Sequence, residues 1–477
     1  VTEPRSQLPP QPHRASYTLH VASVAGLDRE GAKTFPARQL ELVRLLDEVL
    51  DLFDSEPRFQ HFTLDGQSIL IEDYLSIRPE HFERVELAVQ EGKLLIGPWY
   101  IRPESVFASS ESLIRNLLIG LRTARVFGRP MLVGYVPNAM ALPGQWPQIL
   151  KGFGIDTVIT RGAADQPAEL RWEGDDGTPL IVGQVGDQSQ IAPGVPVAAA
   201  RQKLVPYSAS GHLLLLYAWN MRLPLKQRLD YLKSLAQIQV ELHDSIFHSH
   251  PAAYAQAIHT YAKANPLPTV HGQLDATADN DDPVLDDTAG RSIARRCAEA
   301  ERLLVEVIEP RAVWAEYQNA EVGEGFICRP QTFIQRLWRD LLINQSRIRG
   351  DSGDSGEIGS RYDRIEQVAG MLKRSQPAPD NPDEPWAARL VACSGAGFRL
   401  TAVKLPEDSD RNGMIVRGHN VGGESNWVTL TPWRPFATVE VVTVDEAPTG
   451  GKLAPESNGA VRFRVGPHRV LTFWFHD

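Results

Sequence analysis

Between residues 17 and 161, short apolar runs alternate with stretches of helical periodicity, and this alternation restricts the chain to few architectures. "YTLHVASVAG" (17–26) is β-branched and apolar enough for a buried strand. "FPARQLELVRLLDEVLDLF" then sets Leu42, Leu45, Leu46, Val49, Leu50 and Phe53 at helical spacing. "FTLDGQSIL" predicts a strand, "RPEHFERVELAVQEGKL" a helix and "LLIGPWYI" a strand. "SSESLIRNLLIGLRTARVFG" predicts a helix closed by Gly128. "MLVGYVP", "GQWPQILKGFG" and "DTVITRG" continue as strand, helix and strand. Strands separated by helices of about 10–15 residues imply parallel βαβ units, which bind ligands at the carboxyl ends of their strands. Asp28, Asp65, Trp99, Asn138 and Arg161 each end or follow a strand, so the pattern places them on one rim.

Further on, "HLLLLYAW" (212–219) and "PLPTVHGQL" (266–274) read as additional strands. From residue 286 the pattern turns helical, in "DDTAGRSIARRCAEAERLLVEVI", "PQTFIQRLWRDLLINQ" and "RYDRIEQVAGMLKR". After the Pro/Asp-rich "SQPAPDNPDEP", the runs "FRLTAVKL", "GMIVRGHNV", "NWVTLTPW", "TVEVVTV", "AVRFRVG" and "HRVLTFWF" alternate polar and apolar residues, as strands of an antiparallel β-sandwich do. The expected order is a disordered tail (1–14), an α/β domain (15–275), a helical bundle (276–375), a linker (376–388) and a β-sandwich (389–477). No internal repeat at a fixed period is present.

A chain of 477 residues exceeds one core, so several domains are expected anyway. Its net charge of -10, without a Lys/Arg run, argues against a nucleic-acid partner. No apolar run reaches the roughly 18 residues of a membrane helix. The polar, Pro-rich start has no signal-peptide core, so a cytoplasmic location is expected. Cys297, Cys328 and Cys393 lie far apart, without disulfide-framework or metal spacing, and read as isolated thiols. A homo- or hetero-oligomer is compatible with the sequence, which names no partner chain.

Three blocks carry a resemblance: "FTLDGQSILIEDYLSIRPE", "GKLLIGPWYIRPESVFASSESLIRNLLIG" and "VGYVPNAMALPGQWPQILKGFGID". In order and spacing they resemble glycoside hydrolase family 38, the zinc-dependent α-mannosidases, over roughly residues 17–375. The C-terminal sandwich is similar to that family's last β-domain. The resemblance implies a multidomain α/β + α + β fold: a parallel α/β domain, seven-stranded and barrel-like, then a three-helix bundle, then the antiparallel sandwich. Relative to the family pattern, a central β-sandwich region between helices and last sandwich is missing.

The chemistry implied by the resemblance needs a nucleophilic carboxylate and a second acid/base carboxylate about 5–5.5 Å apart. It also needs zinc, held by a His-x-Asp segment, the nucleophilic Asp and a His from the helical region. Carried over, the first segment falls on "AGLDREG": Gly26 stands at the His position and Asp28 at the Asp position. The nucleophile block reads "PNAMA", so Asn138 replaces the Asp. After "LLINQ" the chain continues "SRIRGDSGDSGEIG", with no His. The acid/base segment falls near "LLLLYAWNMRLP", which has no Asp. One carboxylate does not hold zinc usefully, and an amide is a poor nucleophile. No bound zinc is therefore expected, and Asp28 is a single remnant ligand. Asp28 read alone is also a favoured helix N-cap.

Pieces of a sugar-binding wall match the family as well. Trp99 and Tyr100 suit stacking on a pyranose, or packing at a strand end. Asp65, Gln67, Glu104 and Arg161 suit hydroxyl contacts, and Asp65 and Arg161 equally suit a buried bond or salt bridge. Two decoys are set aside. In "LHDSIFHSHP", His248 and His250 share a strand face but make no site alone, and Ser249–His250–Pro251 reads better as a helix start. "GDSGDSGEIG" (350–359) lacks the terminal Glu of a calcium loop and reads as a flexible loop. The reading reached is an α-mannosidase-like protein that binds a mannoside-like carbohydrate or serves as a scaffold, without zinc-dependent hydrolysis. The alternative is a working hydrolase with a rearranged centre, using carboxylates such as Glu104 or Asp65.

Overall fold

The computed structural model describes residues 16–27, 34–103, 108–139, 141–162, 166–192, 197–275, 288–322, 330–346, 355–375 and 385–477. The expected tail (1–14), Asp28, Glu104, Cys328 and most of the expected linker lie outside the described residues.

Among the described residues the α/β unit carries two large sheets and a two-stranded antiparallel pair, Ala141–Leu142 with Leu274–Asp275. The first runs Leu94–Leu95, Phe62–Thr63, Thr18–Val24, His212–Ala218, Gln190–Ile191, and Ser245–Ser249 also pairs with Thr18–Val24; every pairing is parallel. The second runs Thr269–His271, Glu169–Glu173, Pro179–Val185, Thr157–Arg161, Gly134–Val136. Only Glu169–Glu173 against Pro179–Val185 is antiparallel there. Leu19 and Val21 pack on one side with Leu42, Leu45, Leu46 and Val49 of the helix Phe35–Ser55. On the other side Ala22, Val24, Leu214 and Leu216 meet Tyr135, Ile159, Ile181 and Val185 of the second sheet. A strand covered on both faces needs a mostly apolar run, which "TLHVASV" supplies, its buried His20 and Ser23 being hydrogen-bonded to Ser249 and His248. In hydrogen bonding, the expected single barrel-like ladder is thus two ladders closing on a shared core.

The elements depart from the sequence reading in places with local causes. The run "FTLDGQSIL" is strand only at Phe62–Thr63, because Asp65 and Gly66 turn the chain at φ 46° and 72°. Helix Ile69–Leu75 follows, beginning within the run expected to be strand, at Ile69 and Leu70. The hairpin Glu169–Glu173/Pro179–Val185 has an Asp176-Gly177 turn between its strands, a signal the sequence carried unread. In the helical region Thr288–Leu303 passes through a π turn, Leu304–Ile308, into Glu309–Val322. The wider turn lies where Pro310, lacking an N–H, interrupts the regular ladder. Pro330–Gln345 and Ser355–Ser375 pack on these helices and on each other. The last begins at 355, so half of the expected flexible loop 350–359 is helical; 350–354 lie outside the described residues. Cys297 is buried against the Tyr362 hydroxyl at 3.0 Å, and Cys393 is partly exposed.

The C-terminal unit is an antiparallel sandwich. One sheet orders Val391–Ser394, Asn426–Pro432, Val461–Val465; the other orders Phe398–Lys404, Met414–Asn420, Val470–His476, Thr438–Val442, Pro448–Leu453. Pro448–Leu453 escaped the sequence reading because Pro448, Gly450 and Gly451 suit only an edge strand. Buried charges join the three units. Glu111 and Arg115 on helix Ser110–Arg125 meet Arg417 of the sandwich and Glu309 of the helical region. No helix among the described residues is long and apolar enough to cross a membrane.

Candidate functional site

The strand ends gather several of the residues singled out in the sequence, but mostly below the surface. Asp65, buried in its left-handed turn, accepts a hydrogen bond from Leu27 N at 2.9 Å and another from Gly26 N. Burial pushes its carboxyl pKa up, while Arg102 and the two amides pull against that. Asp65 therefore ties the end of Thr18–Val24 to the end of Phe62–Thr63. Gly66 must be glycine: a Cβ there would sit 3.2 Å from Tyr135 Cβ and 3.4 Å from Trp99 Cδ1, at φ 72°. Gln67 pairs with Trp99 in an isolated bridge and accepts from Arg102 N at 3.0 Å. Its buried Nε2 has no partner among the described residues.

Trp99 is 0% exposed, donates from Nε1 to Tyr135 O at 3.1 Å and packs on Trp146 with ring centroids 5.6 Å apart. Tyr100 is 3% exposed and donates to Glu72 Oε2 at 2.9 Å. Of the two roles the sequence left open for these rings, the structure places both in packing. Arg161 ends its strand part-exposed, 3.8 Å from Asp187. Asn138 is exposed in the turn after Gly134–Val136. Beyond Ala218, where the acid/base segment falls, the strand end is closed by Trp219, which donates to Glu48 Oε1 at 3.1 Å. Arg228 also holds Glu48 there, Nη2 to Oε2 at 2.7 Å.

The helix Pro330–Gln345 ends against helix Ser110–Arg125. Asn344 is 0% exposed and engaged, donating to Ile358 O at 3.3 Å and accepting from Arg361 at 3.1 Å. Gln345 donates to Ser112 Oγ at 2.9 Å and to Glu301 Oε2 at 3.4 Å. Glu301 and Gln145 belong to a cleft of about 460 Å³ at the junction of the three units, with Ser109, Glu306, Thr401 and His419 among its walls. Burial raises the pKa of Glu301 against its bonds from Ser109 and Ser112, and burial lowers that of His419. The cleft thus presents hydroxyls, an amide and an imidazole beside the side chains of Arg302 and Glu306, groups able to hydrogen-bond a polyol. The chain reaches Gln145 directly from the Asn138 turn, through Ala141–Leu142. The sequence reading missed Glu301, Gln145 and His419, because they come from three units and carry no local motif.

The donor set for a zinc ion does not fit. Gly26 offers no side chain, and its φ of 62° disfavours one. Asn138 offers a neutral amide, and no histidine occurs between residues 272 and 418. Among the described residues no group of three or more His, Cys, Asp or Glu is arranged to hold a metal. His248 and His250 are occupied otherwise. His248 meets Ser23 Oγ through Nε2 at 3.1 Å and accepts from Gln60 N at 3.0 Å. His250 caps helix Pro251–Ala264 by accepting from Ala253 N at 3.2 Å, the helix start expected from the sequence.

Comparison with known proteins settles the family. The profile described as glycosyl hydrolases family 38 N-terminal domain matches residues 17–272, and that of the family's C-terminal beta sandwich domain matches residues 397–473. The chain belongs to glycosyl hydrolase family 38. A putative mannosylglycerate hydrolase from Halalkalibacterium halodurans is 38% identical over 180 residues, which are 34% of this chain and 20% of that protein. Alpha-mannosidase G of Dictyostelium discoideum is 27% identical over 111 residues, 22% of this chain and 10% of that one. An alpha-mannosidase structure from Enterococcus faecalis V583 superposes with a TM-score of 0.64 at 22% identity, covering 96% of this chain and 56% of that one. This family 38 chain therefore shares the fold of a relative of which it spans little more than half.

Proposed function

We propose that this family 38 chain is an α-mannosidase-like protein that binds carbohydrate without zinc-dependent hydrolysis. The observation that carries the reading is Asn138, exposed at the end of Gly134–Val136, where the family pattern calls for the attacking carboxylate. Gly26 in its left-handed turn and a helical region without histidine support it. On this reading the ligand is a neutral, mannoside-like sugar seated in the cleft between Ser109, Gln145, Glu301 and His419, while Arg161 and Asn138 keep their expected places at the strand ends. Asp65, Gln67, Trp99 and Tyr100 act beneath it, fixing the strand ends. The two large, mostly parallel sheets then correspond to the family's barrel-like domain and the three helical segments to its bundle. Asp28 and Glu104 keep their proposed places as remnant ligand and rim carboxylate.

The test is direct. Purified protein should contain no stoichiometric zinc by elemental analysis and should release no aryl alcohol from an aryl α-mannoside. It should bind methyl α-mannoside by calorimetry, with affinity lost in Glu301→Gln or Gln145→Ala. Zinc near one equivalent per chain, or turnover, overturns the first part; unchanged affinity in both variants overturns the second.

A further inference from the structure

The sandwich has a second surface built for a ligand. In the sheet Val391–Ser394, Asn426–Pro432, Val461–Val465, the side chains of Val428, Leu430, Val461 and Phe463 turn into the core. Strand alternation sends Trp427, Thr429, Thr431, Arg462 and Arg464 to the opposite face. The register sets Arg464 directly across from Trp427 and Arg462 across from Thr429. Trp427 is 57% exposed, and the Arg462 guanidinium lies 4.8 Å from its ring centroid. Neither Arg462 nor Arg464 forms an ion pair among the described residues, in a chain with 59 acidic side chains. A half-exposed indole with the Arg462 guanidinium over its ring, a second guanidinium from Arg464 and two threonine hydroxyls thus share one flat face.

We propose that this face binds an acidic saccharide: the Trp427 ring stacks on a sugar, Arg464 and Arg462 pair with a carboxylate, and Thr429 and Thr431 reach hydroxyls. The indole matches the apolar face of a pyranose, and the guanidinium fork matches a carboxylate in two parallel hydrogen bonds. Single-stranded nucleic acid would also use stacking and arginine. The net charge of -10 disfavours a long polyanion, whereas a short acidic saccharide needs only the local pair of arginines. The site lies on a different unit from the strand-end rim, so it stands or falls independently of the zinc-less reading of that rim.

The experiment uses the whole chain and three probes: trigalacturonate, a neutral galactose trisaccharide and a short single-stranded oligothymidine, followed by saturation-transfer NMR and calorimetry. Trigalacturonate should bind, the neutral sugar about tenfold more weakly or worse, and Trp427→Ala and Arg464→Gln should each cost about tenfold. Both side chains are solvent-facing, and circular dichroism would verify that the variants fold. Four results overturn the proposal: no binding of trigalacturonate up to about 10 mM; equal binding of the neutral sugar; unchanged binding in both variants; or tighter binding of the oligothymidine.

Discussion

Arg417 of the β-sandwich donates from Nη1 to Glu111 Oε1 at 2.7 Å, and neither side chain is more than 6% exposed. Glu111 also binds Arg115 at 2.7 Å, and Arg115 reaches Glu309 of the helical region at 2.6 Å. The Trp338 indole donates to the same Glu309 oxygen at 2.9 Å. One buried chain of charges therefore crosses all three units. Such pairs add little net stability over apolar packing, but breaking one strands a charge without water. They specify where the sandwich docks more than how tightly it is held.

Arg417→Leu should consequently cost about 3–5 kcal/mol, because Glu111 stays buried with one of its two partners gone. The paired replacement Arg417→Met with Glu111→Gln should recover much of that loss. Urea denaturation of the single and double variants checks both statements. A single variant within the error of wild type would mean that the ion pair does not hold the interface.

Trp99 gives a different kind of prediction. Fully buried against Trp146, it should behave as a core residue, so Trp99→Ala should destabilise the chain by about 3–5 kcal/mol. The denaturation midpoint reads this out. A loss of sugar binding at unchanged stability would instead place the ring at a ligand.

Acid should weaken the fold before the carboxylates titrate. Burial lowers the pKa of His20 to about 4, His248 to about 3 and His250 to about 4, from 6.5. These rings are neutral when folded, whereas the unfolded chain binds their protons once the pH drops below 6.5. Stability should thus be full above 6.5 and fall progressively from there toward pH 4. Thermal melts between pH 7 and pH 5 should show the decline, and His248→Gln should flatten it. A melting temperature independent of pH in that window would refute the burial of these rings as neutral groups.

Thr18–Val24, His212–Ala218, the helices Phe35–Ser55 and Ser110–Arg125 and most of the sandwich were legible because each is written in local periodicity, whereas Glu169–Glu173, Pro179–Val185, Ser245–Ser249 and helix Leu225–Leu242 were not. Thr18–Val24 is buried on both faces, with only Thr18, His20 and Ser23 polar, and Asn426–Pro432 alternates since only one face is covered. Helix Ile69–Leu75 was not legible: after the Asp65-Gly66 turn its apolar run is too short for period to separate strand from helix. The rim was legible as a set of positions but not in depth. Sequence order put Asp65, Trp99 and Asn138 at strand ends, and only tertiary packing decided that Trp99 lies beneath Tyr135 while Asn138 faces water. The cleft was not legible at all. Glu301, Gln145 and His419 meet only because the helical region and the sandwich dock on the same helix.

Restoring the family's carboxylate should not restore turnover. Asn138→Asp supplies an exposed anion, yet a nucleophile alone lacks both an acid/base partner and the metal grip on the sugar. Adding Gly26→His supplies one nitrogen, but in a backbone at φ 62° with Ala218 Cβ 3.4 Å from the new Cβ. Such a conformation costs on the order of 1–3 kcal/mol for a non-glycine residue. No histidine from 272 to 418 completes the set, and zinc needs three or four protein ligands. Both the single and the double variant should therefore leave an aryl α-mannoside intact and bind no stoichiometric zinc, in a spectrophotometric assay paired with elemental analysis. Turnover by Asn138→Asp alone would show that a second carboxylate already stands opposite residue 138, with Glu104 the first to replace.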